Sequence, residues 1–202
     1  MSTTLEITEV EPLILRFGPV FKRMTDDEFY EFCRLNEEWR IELSSEGDLI
    51  IMAPTGSKSG IRNFKLIARF AAWVEADGTG QGFDSSTMFT LPNGAKRSPD
   101  MAWIKNERWQ LLNEEQQEKF APICPDFVVE LRSKTDRLAT LQKKMREYME
   151  NGAQLGWLID PREKKVYVYR PDSRTECLNN PQAVSGEPLL AGFVLNVSEF
   201  WD

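Results

Sequence analysis

The sequence contains no histidine among its 202 residues. This absence excludes Ser–His and Cys–His nucleophile pairs, zinc held by histidine, and a histidine general base. Catalysis by this chain would have to use carboxylates, lysine, tyrosine, a lone hydroxyl or thiol, or a metal ion held by oxygen atoms. The lack of histidine therefore restricts the function more than any other feature of the composition.

Cysteine is also scarce, and Cys33, Cys124 and Cys177 are too far apart to form a CxxC pair. We therefore expect reduced thiols rather than a structural zinc site or a disulfide framework. No run approaches the roughly 20 apolar residues that a membrane-spanning helix needs. Residues 1–10 are polar and acidic and lack the basic and apolar parts of a signal peptide. The sequence thus predicts a cytoplasmic protein without a membrane segment.

A single domain over 1–202 is expected, because a chain of this length with 41% hydrophobic residues can bury a sizeable core. We divide it into an extended N-terminal arm at 1–23, a core at about 24–170 and a C-terminal extension at 171–202. The net charge of −7 argues against polyanion binding over the whole surface, although it leaves room for a local basic groove. Candidate groove residues are Arg16, Lys22, Arg23, Lys96, Arg97, Lys105 and Arg108.

The hydrophobic pattern predicts an α/β (α+β) chain with a mixed β-sheet. The strand–helix–strand order between 127 and 160 favours parallel neighbours joined by a right-handed crossover. Thr25 is the expected N-cap of the first helix. The predicted helices cover 24–35, 59–75 and 135–151, with short helical turns in 106–119. The predicted strands cover 39–43, 49–52, 82–84, 88–91, 100–104, 127–131, 155–160 and 166–169.

Glu130 is an anomaly, because it lies in the apolar run 127–131, where a buried carboxylate is costly unless it is paired or binds a metal. Strand alternation puts Glu130 and Arg132 on one face. Asp126 shares that face, but four residues of strand span about 13 Å, which is too far for a common metal ion. A second ligand would have to come from a neighbouring strand, and Asp100 is the best placed.

Lys144 lies on the helix that follows this strand. Arg137, Leu141, Lys144 and Tyr148 are spaced by four, three and four residues, so they share one stripe of the helix. A lysine in that stripe could reach over the sheet towards Glu130 and stabilise a hydroxide or a phosphate oxygen.

Structural explanations of these three residues stay open at this point. Glu130 could be satisfied by Arg132, Arg137 or backbone amides, and Lys144 could be a solvated helix lysine. Asp100 follows a proline, where aspartate is common as a turn or cap residue.

Several segments together resemble a known family. They are Ser98-Pro99-Asp100, Pro125 to Glu130, Ser133, Asp136-Arg137, Lys144, Tyr148, Asn151-Gly152 and Trp157 to Pro161. The set is similar to that of the Uma-type bacterial endonucleases within the PD-(D/E)XK superfamily, over about residues 26–201.

The resemblance implies a restriction-endonuclease-like core, in which a mixed β-sheet is flanked by helices, and a metal-dependent cleavage of DNA. It implies that Asp100, Glu130 and Lys144 are the catalytic residues and that Asp100 and Glu130 bind Mg²⁺ or Mn²⁺. Through the family's Arg-Ile-Glu segment, Glu42 is implied as a further metal ligand. Related nucleases often dimerise to cut two strands, so a homodimer is also expected.

One position departs from the superfamily pattern, which places a lysine two residues after the glutamate. Arg132 occupies that place, and an arginine stays protonated and cannot act as a base. Lys144 is the candidate replacement. If Lys144 pointed to solvent instead, catalysis would be in doubt.

Three functions therefore compete. The first is a Mg²⁺- or Mn²⁺-dependent endonuclease, and the second is a catalytically inactive protein of the same fold that binds nucleic acid or a protein partner. The third is a hydrolase of another kind that uses a carboxylate pair, such as a glycosidase. Only the acidic residues support the third.

Overall fold

A computed structural model of the chain describes residues 12–17 and 24–201, which contain a five-stranded sheet, a six-stranded sheet and a two-stranded sheet. The helices of this part are α1 (Asp26–Leu35), α2 (Ser57–Asp77), α3 (Asn106–Trp109), α4 (Glu114–Glu118) and α5 (Leu138–Glu150), with a 3₁₀ helix at Val197–Phe200. The strands are β1 (Leu13–Arg16), β2 (Arg40–Leu43), β3 (Asp48–Met52), β4 (Gly80–Asp84), β5 (Phe89–Thr90), β6 (Lys96–Arg97), β7 (Met101–Lys105), β8 (Phe127–Leu131), β9 (Leu155–Asp160), β10 (Lys165–Tyr169), β11 (Glu176–Asn179), β12 (Ala183–Ser185) and β13 (Val194–Asn196).

The six-stranded sheet has the order β11-β10-β9-β8-β7-β4. Its pairs are antiparallel except for β8 and β9, which run parallel with Phe127 opposite Leu155 and Leu131 opposite Ile159. Parallel neighbours need a crossover, and α5 provides it. The predicted mixed sheet and its strand–helix–strand unit are therefore confirmed.

The five-stranded sheet has the order β1-β3-β2-β6-β5 and is antiparallel throughout. Its edge strand β1 comes from the predicted N-terminal arm, whose other residues at 1–11 and 18–23 lie outside the described part of the chain. The next strand along the chain from β6 is β7, which belongs to the six-stranded sheet. The residues between β6 and β7, including Asp100, therefore connect the two sheets.

Helices cover both faces of the six-stranded sheet, as the family resemblance implies. Strand alternation sends Val128 and Ala102 to the face where Met145 and Tyr148 of α5 pack. The opposite face packs against α2 and the C-terminal segment, with these buried members: Leu66, Phe70, Phe127, Val129, Trp157, Phe193, Leu195 and Phe200. A separate cluster joins α1 to the five-stranded sheet through Phe29, Ile41, Leu43 and Leu49.

The predicted C-terminal extension contributes to this core rather than lying apart from it. Phe193 stacks on Trp157, with ring centroids 5.7 Å apart and an interplanar angle of 13°. Backbone carbonyls of the same segment accept hydrogen bonds from α2, including the bond from Arg62 Nε to Phe200 O at 2.9 Å. The division into one domain with an arm and an extension stays a prediction.

Helix α1 begins where the sequence predicts, because Thr25 forms a capping box with Glu28. Helix α5, in contrast, begins at Leu138, three residues after the predicted start. The Asp136 carboxylate accepts a hydrogen bond of 2.7 Å from the Ser133 N–H, and the Asp136 carbonyl accepts one from Arg132 Nε. These bonds give residues 133–136 a turn in place of a first helical turn.

No helix in the described ranges combines the length and the apolar character that crossing a membrane requires.

Gly80 of β4 offers a test of the packing between β4 and β7 in the six-stranded sheet. A Cβ added there would lie 2.4 Å from the carbonyl oxygen of Ile104 and 2.4 Å from the indole of Trp103. We expect Gly80→Ala to lower the free energy of unfolding by about 1–3 kcal/mol, because overpacking forces these buried groups apart. Urea denaturation followed by tryptophan fluorescence measures it.

Gly60→Ala is the control for this substitution. A Cβ at Gly60, in α2, meets nothing within 4 Å, so the helix preference of alanine should raise the free energy of unfolding by about 0.5–1 kcal/mol. Equal stabilities for Gly80→Ala and the unchanged protein would contradict the packing described here.

Candidate functional site

A cleft of about 1950 Å³ opens where the two sheets meet. Glu42, Asp100, Glu130 and Lys144 all lie in its lining, although they come from β2, the β6–β7 connection, β8 and α5. The structure therefore brings together all four residues for which the sequence and the family resemblance give a site role.

Asp100 and Glu130 are neighbours on adjacent strands. Met101 lies opposite Val129 in the β7–β8 ladder, so one further step places Asp100 beside Glu130. The Leu131 N–H donates a 2.7 Å hydrogen bond to Asp100 Oδ2, which fixes the aspartate at the strand end. Facing residues of an antiparallel pair have Cβ atoms about 4.5–5.5 Å apart, which is close enough for one ion to bridge the two carboxylates.

Lys144 reaches from α5 over the sheet to both glutamates. Its Nζ lies 2.8 Å from Glu130 Oε1 and 2.8 Å from Glu42 Oε1, and it donates to the Ser98 carbonyl at 3.3 Å. The side chain is only 13% exposed. Lys144 is thus a buried ion-pairing residue and not a solvated helix lysine.

Burial shifts the pKa values of Glu130 and Asp100 in the same direction. It raises the pKa of Glu130 to about 7, because desolvation of the anion and the nearby charges of Asp100 and Glu42 together outweigh the attraction of Lys144. It also raises the pKa of Asp100, against the hydrogen bond from Leu131 and the charge of Lys144. The nearby positive charge therefore does not fully compensate the negative charge of Glu130 and Asp100.

The pKa values of Lys144 and Glu42 are shifted in the directions expected of a stable ion pair. Burial alone would lower the pKa of Lys144, but the charges of Glu130 and Glu42 raise it above its usual range. Burial alone would raise the pKa of Glu42, but Lys144 and Arg97 lower it. The ammonium of Lys144 therefore stays protonated at neutral pH.

Glu42 has more donors than Glu130. Its Oε1 accepts from the Ser98 N–H at 2.9 Å and from Lys144, and its Oε2 accepts from Arg97 Nη1 at 3.1 Å. The contacts found for Glu130 among the described residues are Lys144 and the hydroxyl of Tyr148, which donates to Oε1 at 3.1 Å.

Arg132 pairs with Asp160, and not with Glu130, the partner considered for it in the sequence analysis. Its Nη1 lies 2.6 Å from Oδ2 of the fully buried Asp160, and its Nε donates to the Asp136 carbonyl at 3.1 Å. Within the described contacts, Glu130 is thus neutralised from α5 by Lys144 and not by Arg132.

The donor set fits a hard divalent cation. Within residues 12–17 and 24–201, no group of three or more His, Cys, Asp or Glu residues is arranged around a common metal position. Mg²⁺ in nucleotide-processing sites usually takes only one or two protein carboxylates and completes its coordination with water and phosphate oxygens. Asp100 and Glu130 match that pattern, since each carboxylate has one oxygen that accepts no hydrogen bond within the described residues.

The basic cluster predicted around Asp100 is largely directed inwards. Lys96 is 2% exposed and pairs with Asp26, and Arg97 is 8% exposed and pairs with Glu42 and Glu147. These two side chains are therefore not free for a nucleic acid backbone, and the prediction for them is wrong.

Other cations face the cleft. Ten basic and seven acidic side chains line it, whereas the whole chain has 25 basic and 32 acidic residues. The cleft is thus net positive in an acidic protein. Arg16 belongs to this lining, and Lys22 and Arg23 fall outside the described residues.

Sequence reasoning missed Arg97 and Glu147 as part of the site. Arg97 Nε lies 2.6 Å from Glu147 Oε2, and Glu147 follows Lys144 by three residues on α5. That spacing puts both on one face of the helix, which is the signal that could have indicated a second site residue there.

Known proteins share this architecture. A solved structure from Anabaena variabilis, described as a “putative nuclease”, matches with a TM-score of 0.70 and 24% sequence identity, over 88% of this chain and 97% of the other. The chain therefore shares its fold with that protein. The chain belongs to the Uma2 family, described as “putative restriction endonuclease”, which matches residues 26–198. No curated protein shows a significant match to it.

The pKa of Glu130 predicts a pH-dependent stability. Its folded pKa of about 7 lies above the ordinary 4.5, so the folded state favours the protonated carboxyl. The stability from this group is complete below about pH 4.5 and is lost as the pH rises through 7. Relative to the unchanged protein, Glu130→Gln should therefore gain about 1–3 kcal/mol of unfolding free energy between pH 5 and pH 8.

Urea denaturation in EDTA at both pH values measures this gain, and Glu150→Gln, an exposed change on α5, is the control. A difference between Glu130→Gln and the unchanged protein that is equal at both pH values would show that Glu130 is already ionised at pH 5.

Proposed function

We propose that this protein is a Mg²⁺- or Mn²⁺-dependent endonuclease that hydrolyses phosphodiester bonds of DNA. The observation that carries the proposal is the convergence of Asp100 and Glu130, from adjacent strands, with the Lys144 ammonium 2.8 Å from Glu130 at the cleft. Membership of a restriction-endonuclease family supports the same reaction.

In this proposal Asp100 and Glu130 hold the metal ion, which supplies Lewis-acid polarisation of the phosphodiester. Lys144 acts as a fixed positive charge and hydrogen-bond donor that offsets the charge developing on the phosphate oxygens. It does not act as a base, because Glu130 and Glu42 raise its pKa and keep it protonated. Tyr148 orients Glu130 through its hydroxyl.

DNA is proposed as the substrate because of the charge of the cleft. A net positive lining in a chain of net charge −7 concentrates attraction for a polyanion at the site and leaves the remaining surface repulsive. Arg40, Lys134 and Arg162 lie in that lining and are candidates for backbone phosphate contacts. A homodimer and a cytoplasmic location stay predictions, as does Glu42 as a third metal ligand.

A second candidate is a protein of this fold that binds nucleic acid without cutting it. The observation that favours it is Arg132, which stands where the superfamily has a lysine and is held by Asp160. The two candidates predict different results when metal and DNA are added to the purified protein.

Metal binding is the first test, because it needs no knowledge of the substrate. We expect Mn²⁺ titrated into the protein by calorimetry to bind saturably, with Asp100→Asn and Glu130→Gln each weakening the affinity at least about tenfold, because each removes one anionic ligand. Lys144→Met should retain binding, since it removes a cation from beside the metal. Saturable binding that neither carboxylate change affects would refute the metal site.

Cleavage is the second test. With supercoiled plasmid and Mg²⁺ or Mn²⁺, we expect Lys144→Met to lower kcat about 10²–10³-fold, the usual cost of removing a charge aimed at a transition-state oxygen. Lys65→Met removes an exposed lysine of α2 outside the cleft and should leave the rate unchanged. Metal binding without any nicking would favour the non-cleaving candidate.

A further inference from the structure

Lys144 is shared by two carboxylates, and they differ in how firmly they are held. Glu42 is 2% exposed and its two oxygens receive three donors, from Ser98, Lys144 and Arg97. A metal ion at Glu42 would have to displace at least one of these donors. Each such loss would take a hydrogen-bond acceptor from a largely buried donor, which is unfavourable.

Arg97 is fixed in turn by α5. Its Nη1 contacts Glu42 at 3.1 Å and its Nε contacts Glu147 at 2.6 Å, so the guanidinium joins β2 to the helix. Glu147 also accepts a bond of 3.2 Å from the amide of Asn93. Glu147, Arg97, Glu42 and Lys144 thus form a series of ion pairs in which charges alternate, and both end residues of the series are on α5.

We infer that Glu42 is a positioning residue, whose carboxylate, anchored by Arg97 and Ser98, holds the Lys144 ammonium beside Glu130 and is not used as a metal ligand. This inference rests on the proposed function. When Glu130 binds the ion, Lys144 keeps Glu42 as its counter-ion and stays in the site. The role differs from the ligand role that the family resemblance implies for Glu42.

The lowered pKa of Glu42 agrees with this assignment, because a carboxylate that stays ionised at all working pH values is a permanent partner for the lysine. Glu130 and Asp100 have raised pKa values and few donors, so a cation stabilises them most. Two buried glutamates thus share one lysine and take different roles.

The test combines three measurements on Glu42→Gln. The first is the NMR signal of the labelled ε-methylene of Lys144 in metal-free protein at neutral pH, assigned with Lys144→Arg. We expect its two ε-protons to give separate signals in the unchanged protein and to average in Glu42→Gln, because one of the two carboxylates that fix the ammonium is gone. Glu150→Gln should leave the signals separate.

The other measurements are Mn²⁺ affinity and cleavage. Glu42→Gln should bind Mn²⁺ within about threefold of the unchanged protein, whereas Asp100→Asn should lose at least about tenfold. Its kcat should fall while KM changes little, because the loss acts through Lys144 on the transition state. Glu150→Gln is the matched control, since it removes an exposed carboxylate from α5.

Glu42→Asp keeps the test decisive if the glutamine variant does not fold. The shorter side chain keeps the negative charge at this position, but it moves the carboxylate away from the Lys144 ammonium by the length of one methylene group. We expect a reduced kcat with unchanged Mn²⁺ affinity for this variant too.

The inference is overturned if either Glu42 variant loses Mn²⁺ affinity as Asp100→Asn does, since Glu42 is then a ligand. It is also overturned if the ε-methylene signals of Lys144 and kcat do not change. A failure of the proposed function looks different, because Asp100→Asn and Glu130→Gln would then leave Mn²⁺ binding intact. The ε-methylene signals of Lys144 in metal-free protein would still decide the role of Glu42.

Discussion

The ammonium of Lys144, which lies between carboxylates from two different sheets, is the interaction on which the site depends. Glu42 belongs to the five-stranded sheet and Glu130 to the six-stranded sheet, and each has an oxygen 2.8 Å from Nζ. Removing a carboxylate from water costs several kcal/mol, which only a well-placed cation and further hydrogen bonds offset. Since Lys144 belongs to α5, one side chain links the three elements that enclose the cleft. The same contact explains why β8 tolerates an acid in an otherwise apolar strand.

The two glutamates show how donors, rather than residue type, decide what a buried carboxylate can do. Glu42 receives three donors and its pKa falls, whereas Glu130 lies beside Asp100 and its pKa rises. Glu130 could not ionise cheaply without Lys144. With Lys144 in place, excess negative charge remains at Asp100 and Glu130 only. A divalent cation would stabilise that pair most, so the hydrogen-bond network itself favours one place for a metal ion.

The sequence allowed the prediction of those parts that local pattern determines. Strands β8 and β9 match their predicted bounds, and the Thr25 cap of α1 is where capping chemistry puts it. The site required more, because Arg97 meets Glu42 across 55 residues of chain, and the two-residue strand β6 that carries Arg97 is too short to show periodicity. The prediction that Lys96 and Arg97 contact a nucleic acid was wrong, because sequence proximity to Asp100 does not tell which way a side chain points.

Arg132 illustrates how one acid on a neighbouring strand decides which cation faces Glu130. In the parallel β8–β9 pair, Leu131 lies opposite Ile159, so the next step along both strands brings Arg132 beside Asp160. Asp160 is fully buried and would be costly without a partner, and a permanently charged guanidinium suits it. Once Arg132 is held there, the space next to Glu130 is open to a side chain from α5. Lys144, whose side chain is long and flexible, occupies that space. In this chain the positive charge beside Glu130 therefore comes from α5, and not from the position two residues after the glutamate where the superfamily has its lysine.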